Sequence, residues 1–124
     1  MARILIVDDD PDVVESTQIV LENEGFDVIS ASNITDGKSM VDSENPDLIV
    51  LDVMMDAPDD GFVMAQELRA RKIETPIVMM TSVGKTFGLD FDKDSEMVPV
   101  DEYIEKPVEP KVLVSKIKAL LGKS

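Results

Sequence analysis

Short apolar runs alternate with longer stretches of helical periodicity along this chain, and this alternation limits its fold more than any other feature. The first run, Arg3-Ile4-Leu5-Ile6-Val7, is too short for a helix and nearly all apolar, as in a strand buried on both faces. The pattern predicts further strands at 26–31, 48–52 and 76–80, a fifth strand of which 103–104 is part, and helices at about 11–24, 32–43, 61–71 and 110–121. Strands and helices alternating in this way predict a parallel sheet with right-handed crossovers and helices on both faces.

The stretch from Ser82 to Val100 departs from the alternation. It contains Gly84, Gly88 and Pro99 with several aspartates between them, and it shows little amphipathic period. A regular helix is expected at this place in an alternating fold. We therefore predict a shortened helix or an irregular loop at residues 82–100.

Composition excludes several functions. With 124 residues the chain fits one domain, and a formal charge of −14 argues against direct binding of nucleic acid or of an anionic membrane. We expect no membrane insertion and no secretion signal, because no apolar run reaches about 18 residues and the N-terminus lacks the charged-then-apolar pattern. Cysteine is absent, and we predict a cytoplasmic location. With no histidine, the chain has no phosphohistidine of its own.

Polar side chains stand at the ends of four predicted strands. They are Asp8, Asp9 and Asp10 after the first, Asp52 at the end of the third, Thr81 and Ser82 after the fourth, and Lys106 after the fifth. Because the carboxyl ends of parallel strands meet at one edge of a sheet, we expect these groups to converge there. Carboxylates gathered together repel one another unless a cation binds, and oxygen ligands alone favour Mg²⁺, with Mn²⁺ or Ca²⁺ as substitutes.

This set of groups is suited to phosphoryl transfer. Mg²⁺ usually keeps water and phosphate oxygens beside one or two carboxylates, a lysine and a hydroxyl can hold further phosphoryl oxygens, and Asp52 would be the nucleophile. Taken singly, each residue has a simpler interpretation. Asp10 before Pro11 is typical of a helix cap, and Asp59 and Asp60 would cap the helix that follows. The joint occurrence at four strand ends favours a site.

Four motifs in this order, "ILIVDDDP", "DLIVLDVMM", "PIVMMTS" and "DEYIEKP", resemble the strands of the receiver domain of bacterial two-component response regulators. The resemblance covers nearly the whole chain. It implies a flavodoxin-like (CheY-like), doubly wound, five-stranded parallel α/β sheet of order 2-1-3-4-5. We expect a single receiver domain at residues 1–124, standing alone without an output domain.

The resemblance implies roles for the residues of the predicted site. Asp52 would be the phosphoacceptor and a metal ligand, and Asp8, Asp9 and the backbone carbonyl of Met54 would complete the metal site. Lys106 would contact the phosphoryl group, and its peptide bond to Pro107 is usually cis in the family.

A conformational switch is implied as well. Thr81 would move toward the phosphoryl group, and Tyr103 would turn inward with it. The sequence departs from the family at two places: Asp56, whose role stays open, stands where the family prefers proline, and "MVPVDEY" replaces the usual pattern of small residues before the fifth strand. The loop before Gly61 is one residue longer than usual.

As a receiver, the chain would accept phosphate from a sensor histidine kinase or a phosphotransfer protein and would signal to a downstream protein target. It would not be an enzyme in the ordinary sense, but would catalyse its own phosphorylation and a slow self-dephosphorylation. Slow hydrolysis is expected because the side chains of Met54 and Val83, at positions that tune phosphoryl lifetime in the family, cannot hydrogen-bond an attacking water.

Two alternatives belong to other classes. An unphosphorylated pseudo-receiver would act only as a protein-interaction module. A phosphatase of the haloacid-dehalogenase type needs an acid two residues after the nucleophile, where this chain has Met54. The last predicted helix also carries a stripe of lysines, for which a solvated face is favoured over a docking surface; they are Lys111, Lys116, Lys118 and Lys123.

Overall fold

A five-stranded parallel sheet forms the centre of the computed structural model, which describes residues 2–52, 60–82, 101–106 and 109–122. The elements in chain order are β1 (Arg3–Val7), α1 (Pro11–Asn23), β2 (Asp27–Ala31), α2 (Ile34–Glu44), β3 (Leu48–Asp52), α3 (Asp60–Ala70), β4 (Ile77–Ser82), β5 (Glu102–Lys106) and α4 (Pro110–Leu121). The sheet order is β2-β1-β3-β4-β5 and every pair is parallel. The predicted fold class and strand order are confirmed. The predicted irregular stretch lies outside the described residues, apart from Ser82.

Helices cover both faces of the sheet, so the hydrophobic core has two layers. Every residue of β3 is buried, as the apolar run predicts for a strand between two helical layers. Leu51 belongs to the layer beneath α2 and α3, and Val50 to the layer beneath α1 and α4. Each fully buried side chain of this size contributes about 1.5–3 kcal/mol to folding.

Local capping sets both ends of α1. The Asp10 side chain accepts a hydrogen bond from the Asp12 amide at 2.9 Å, and Pro11 is the first helical residue. Beyond the last turn Gly25 has φ 93°, and its amide donates to the Glu22 carbonyl at 3.0 Å. The predicted cap at Asp10 is confirmed.

α3 ends in the same kind of turn without a glycine. Lys72 has φ 63°, in the left-handed region, and its amide donates to the Arg69 carbonyl at 2.9 Å. The Ile73 amide donates to the Leu68 carbonyl at 3.0 Å. A side chain in this conformation costs about 1–2 kcal/mol that glycine would not incur.

Some predicted boundaries were wrong by one or two residues. β4 extends through Thr81 and Ser82, and β5 through Lys106, so these residues lie within strands and not after them. Their mutual pairing explains the extension, since Thr81 lies opposite Glu105 and Ser82 opposite Lys106.

Helix starts and one strand start show similar shifts. α2 begins at Ile34, because Asn33 caps it by accepting a hydrogen bond from the Asp36 amide at 2.8 Å. β2 begins one residue later than predicted, at Asp27. Asp60 is the first residue of α3, whereas its predicted companion cap, Asp59, lies outside the described residues.

Two of the four lysines predicted to form a stripe on the last helix take part in ion pairs within the chain. Lys116 lies 3.1 Å from Glu102 of β5, and Lys118 lies 2.8 Å from Glu24 after α1. Lys111 is exposed, and Lys123 lies outside the described residues. The two pairs favour the interpretation of this stripe as part of the fold's own surface. Among the described helices, none has the length and apolar character needed to cross a bilayer.

Candidate functional site

Three predicted site residues meet at the carboxyl edge of the sheet, the edge at which the five strands end. Asp8 and Asp9 follow β1 directly, and Asp52 is the last residue of the adjacent strand β3. Val7 lies opposite Leu51 in the β1–β3 ladder, which brings the residues that follow them to the same level. One carboxylate oxygen from each of Asp8, Asp9 and Asp52, called here the acidic cluster, lies within 4.8 Å of the others.

Burial distinguishes the members of the acidic cluster. Asp8 is 1% exposed and Asp52 is 4% exposed, whereas Asp9 is exposed to solvent. Removing a carboxylate from water costs several kcal/mol unless hydrogen bonds or a cation compensate. Two buried carboxylates beside a third are therefore a strong electrostatic reason to bind a cation here.

Backbone contacts hold Asp8 from two sides. Its amide donates to the Ala31 carbonyl at the end of β2, at 3.1 Å. The amide of Asp10 donates to Asp8 Oδ1 at 2.9 Å. This second contact was not predicted from the sequence, although an aspartate two residues before a helix cap is a recognisable signal for an Asx turn. The result is a fixed orientation for a buried carboxylate.

The acidic cluster fits a hard divalent cation. All of its donors are carboxylate oxygens, the ligands that Mg²⁺ prefers. Oxygens bound to one Mg²⁺ at about 2.1 Å lie at most about 4.2 Å apart, so small side-chain movements would close the observed spacing. The predicted fourth ligand, the carbonyl of Met54, lies outside the described residues, as do Asp56 and Pro107.

Thr81 and Lys106 reach the same edge from the opposite side of β3. Asp52 pairs with Met80 in the β3–β4 ladder, so the backbone of Thr81 follows one residue beyond the level of Asp52. Lys106, the last residue of β5, lies opposite Ser82. The backbone thus brings both predicted phosphoryl-contacting residues to the carboxyl edge, on the two strands beyond β3.

Tyr103, the predicted switch residue, stands three positions before Lys106 in β5. Its side chain is half-buried and packs against the core layer beneath α2 and α3. Burial raises the pKa of the Tyr103 phenol above its ordinary value.

A cleft of about 280 Å³ adjoins the acidic cluster between the first turns of α1 and the end of β2. Asp8 and Asp9 are among its lining residues, together with the polar residues Gln18 and Ser32. The cleft thus lies beside two members of the acidic cluster. The part of the cleft that comes from β2 was not predicted, because no sequence motif marks it.

Comparison with known proteins agrees with this geometry. The family model described as the response regulator receiver domain matches residues 4–118. The chain is 37% identical to the alkaline phosphatase synthesis transcriptional regulatory protein PhoP of Bacillus subtilis, over 98% of this chain and 49% of that protein. It is 36% identical to the DNA-binding response regulator MtrA of Mycolicibacterium smegmatis, over 98% of this chain and 51% of that protein.

Solved structures show the same fold. A CheY-like response regulator receiver domain protein from Methanospirillum hungatei is 30% identical, with a TM-score of 0.82 over 99% of this chain and 95% of that one. The receiver domain of the Francisella response regulator 1452 has a TM-score of 0.86 at 24% identity, over 99% of this chain and 98% of that one, and supports the fold alone. The chain spans about half the length of the curated relatives it matches.

Proposed function

Because this chain belongs to the response regulator receiver domain family, we propose that it is a phosphoacceptor in which Asp52 receives a phosphoryl group in a Mg²⁺-dependent reaction. The observation that carries the proposal is the convergence of Asp8, Asp9 and Asp52 within 4.8 Å at the carboxyl edge. The donor would be a sensor histidine kinase or a phosphotransfer protein in the cytoplasm, since the chain has no histidine of its own.

The acidic cluster would hold the ion through its three carboxylates. When bound, Mg²⁺ would neutralise negative charge that develops on the phosphoryl oxygens. The burial of Asp8 and Asp52 supports this assignment, because a bound cation compensates for the loss of carboxylate hydration.

In the transfer step an oxygen of Asp52 forms a bond to phosphorus. The bond from phosphorus to the donor histidine nitrogen breaks, and that nitrogen keeps the electron pair. The product is an acyl phosphate on Asp52. Lys106 would pair with a phosphoryl oxygen, and the hydroxyl of Thr81 would hydrogen-bond another. The backbone positions of Thr81 and Lys106 at the carboxyl edge support these two roles.

Output would occur through a change in binding to a downstream protein. The added phosphoryl group brings about two negative charges and strong hydrogen-bond acceptors to the end of β3. It shifts the conformational equilibrium by as much as it stabilises one state over the other. A net charge of −14 argues against direct contact of this chain with DNA, whose binding depends on neutralising phosphates.

Incubation with acetyl phosphate and Mg²⁺ tests the proposal. We expect intact-mass measurement to show the addition of one phosphoryl group, which chelation of Mg²⁺ prevents. Asp52→Asn removes the nucleophile and is expected to abolish the addition.

A matched control is available two residues beyond Asp8. Asp10→Asn removes one charge near the site, keeps a good helix cap, and leaves the backbone amide that contacts Asp8, so labelling is expected to stay normal. Absence of labelling in the unmodified protein, with intact Mg²⁺ binding, would favour the pseudo-receiver alternative.

The phosphoryl group is expected to be long-lived. The apolar side chains of Met54 and Val83 cannot orient an attacking water, which is the reason for this expectation. Loss of the label within minutes in the absence of any phosphatase would contradict it.

A further inference from the structure

Asp101, the residue before β5, is bonded to both backbone groups of the first residue of β4. The Asp101 amide donates to the Ile77 carbonyl at 3.0 Å, and the Ile77 amide donates to Asp101 Oδ2 at 2.8 Å. The Asp101 carboxylate therefore accepts a hydrogen bond from the backbone at the place where the β4–β5 ladder begins.

Arg69, near the end of α3, holds the same carboxylate from the other side. Its Nη2 donates to Asp101 Oδ2 at 2.9 Å. Its Nη1 donates to the carbonyls of Ile73 and Thr75, at 2.8 Å and 2.9 Å, in the connection between α3 and β4. The planar guanidinium thus joins Asp101 to the segment that leads into β4, through charge-assisted bonds that are stronger than neutral ones. Arg69, Asp101 and Ile77 are called here the β5 clasp.

The β5 clasp stands where the alignment of β5 has to be defined. β4 and β5 are parallel neighbours, and parallel strands need a long crossover connection, so a two-residue hairpin turn cannot set their register. The observed register places Glu102 opposite Val78 and Lys106 opposite Ser82. A slip of one residue would turn every side chain of β5 to the other face, and a slip of two would move Lys106 by about 7 Å along the sheet.

We propose that Asp101 is a positioning residue for Lys106. Through the β5 clasp, Asp101 fixes the register of β5 and thereby the position of Lys106. Lys106 lies at the opposite end of the same five-residue strand, so a register fixed at Asp101 is transmitted along β5 to the carboxyl edge. The acidic cluster lies at the carboxyl ends of β1 and β3. The β5 clasp adjoins β3 near the start of that strand, where Ile77 pairs with Ile49, three residues before Asp52. This inference rests on the proposed function in one respect only, which is the role of Lys106 in phosphorylation.

Asp101→Ala tests whether the position of Lys106 can be disturbed without disturbing the acidic cluster. We expect amide hydrogen exchange to accelerate at Tyr103 and Ile104 while the amides of β1 and β3 keep their protection. Mg²⁺ affinity, measured by calorimetry, should stay within about twofold of the unmodified protein. Phosphorylation by acetyl phosphate at saturating Mg²⁺ should slow by at least about tenfold, the scale on which small misplacements of catalytic groups reduce rates.

Two further variants keep the test specific. Asp42→Ala removes a charge-assisted bond of 2.6 Å from Arg71, the residue after α3, to α2, away from β5, and should change none of the three measurements. Asp101→Asn keeps an acceptor for the Ile77 amide and should remain within about threefold of the normal phosphorylation rate.

Normal exchange in β5 of the Asp101→Ala protein would overturn the proposal, and so would a normal phosphorylation rate. A parallel loss in Asp42→Ala would also overturn it, because the effect would then be one of general stability. If the unmodified protein takes no phosphoryl group, the proposed function fails, and the exchange measurement still decides whether the β5 clasp fixes the register.

Discussion

The backbone amide of Asp10 holds Asp8 Oδ1 at 2.9 Å, so a residue outside the acidic cluster orients one of its buried carboxylates. The contact uses the main chain of Asp10, whereas the side chain of Asp10 caps α1. A substitution can therefore remove the charge of Asp10 and leave the backbone hydrogen bond that orients the Asp8 carboxylate.

The first prediction concerns Mg²⁺ affinity. Asp9→Asn removes a charged ligand from the acidic cluster and is expected to weaken Mg²⁺ binding by at least about tenfold, the lower range for loss of groups that support a metal. Asp10→Asn removes a charge next to it and should bind Mg²⁺ nearly normally. Isothermal titration calorimetry on both proteins measures the difference. Equal affinities would show that Asp9 is not a Mg²⁺ ligand.

The second prediction concerns stability without metal. Asp52→Asn relieves repulsion among the carboxylates of the acidic cluster, so in chelator the free energy of unfolding is expected to rise by about 1–2 kcal/mol. Mg²⁺ at about 100 times its dissociation constant should stabilise the unmodified protein by about 2.7 kcal/mol, and the variant by much less. Urea unfolding with and without Mg²⁺ measures both effects.

Glu74→Gln is the control for the second prediction. Glu74 is an exposed residue between α3 and β4, and its loss removes the same charge away from the acidic cluster. Its stability should stay within about 0.5 kcal/mol of the unmodified protein. A gain equal to that of Asp52→Asn would mean that net charge, and not local repulsion, is responsible.

The third prediction concerns the end of α3. Lys72→Gly relieves a left-handed conformation that costs about 1–2 kcal/mol, and the extra freedom of glycine in the unfolded chain offsets about 0.5–1 kcal/mol of that gain. A net stabilisation of about 0.5–1 kcal/mol is expected in urea unfolding. Lys72→Ala retains the unfavourable φ and should show little change, so equal stabilisation by both variants would contradict the explanation.

The fourth prediction is a loss of stability in alkali. Burial raises the pKa of Tyr103 in the folded chain. The Tyr103 phenol therefore stays protonated in the folded state at a pH at which it has ionised in the unfolded state. This contribution to stability is fully present below about pH 10 and is lost as the pH rises toward the folded pKa. Tyr103→Phe should remove this part of the alkaline decline.

Phenolate absorbance makes the fourth prediction directly measurable. Tyr103 is the single tyrosine of the chain and tryptophan is absent, so the signal belongs to one residue. We expect a higher midpoint in the folded protein than in the same protein unfolded in urea. Coincident midpoints would show that burial does not shift the pKa of Tyr103.

Local signals made much of the fold predictable. The β-branched run 3–7 and the apolar run 48–52 matched β1 and β3 because burial on both faces leaves a continuous apolar pattern. Asp10 before Pro11 marked the start of α1 because capping involves neighbours in sequence. The ends of β4 and β5 were missed, since pairing between Thr81 and Glu105 depends on a distant segment.

The site was predictable in part for the same reason. Asp8 and Asp9 directly follow β1 and Asp52 ends β3, and parallel topology brings these carboxylates together without further information. No sequence pattern indicated that the carboxylate of Asp101 would bind Arg69 and the amide of Ile77, because these contacts join residues that are 32 and 24 positions apart. Long-range polar contacts of this kind have no periodicity to reveal them.

β3 is the middle strand of five, and Asp52 is its last residue. One neighbour, β1, leads into Asp8 and Asp9, and on the other side β4 and β5 carry Thr81 and Lys106. Under the proposed function, ion binding and the response to phosphate thus belong to opposite halves of the sheet. Divergent descendants of such a chain can lose the metal ligands and keep Thr81 and Lys106, or the reverse. Their substitutions should then accumulate on one side of β3 at a time.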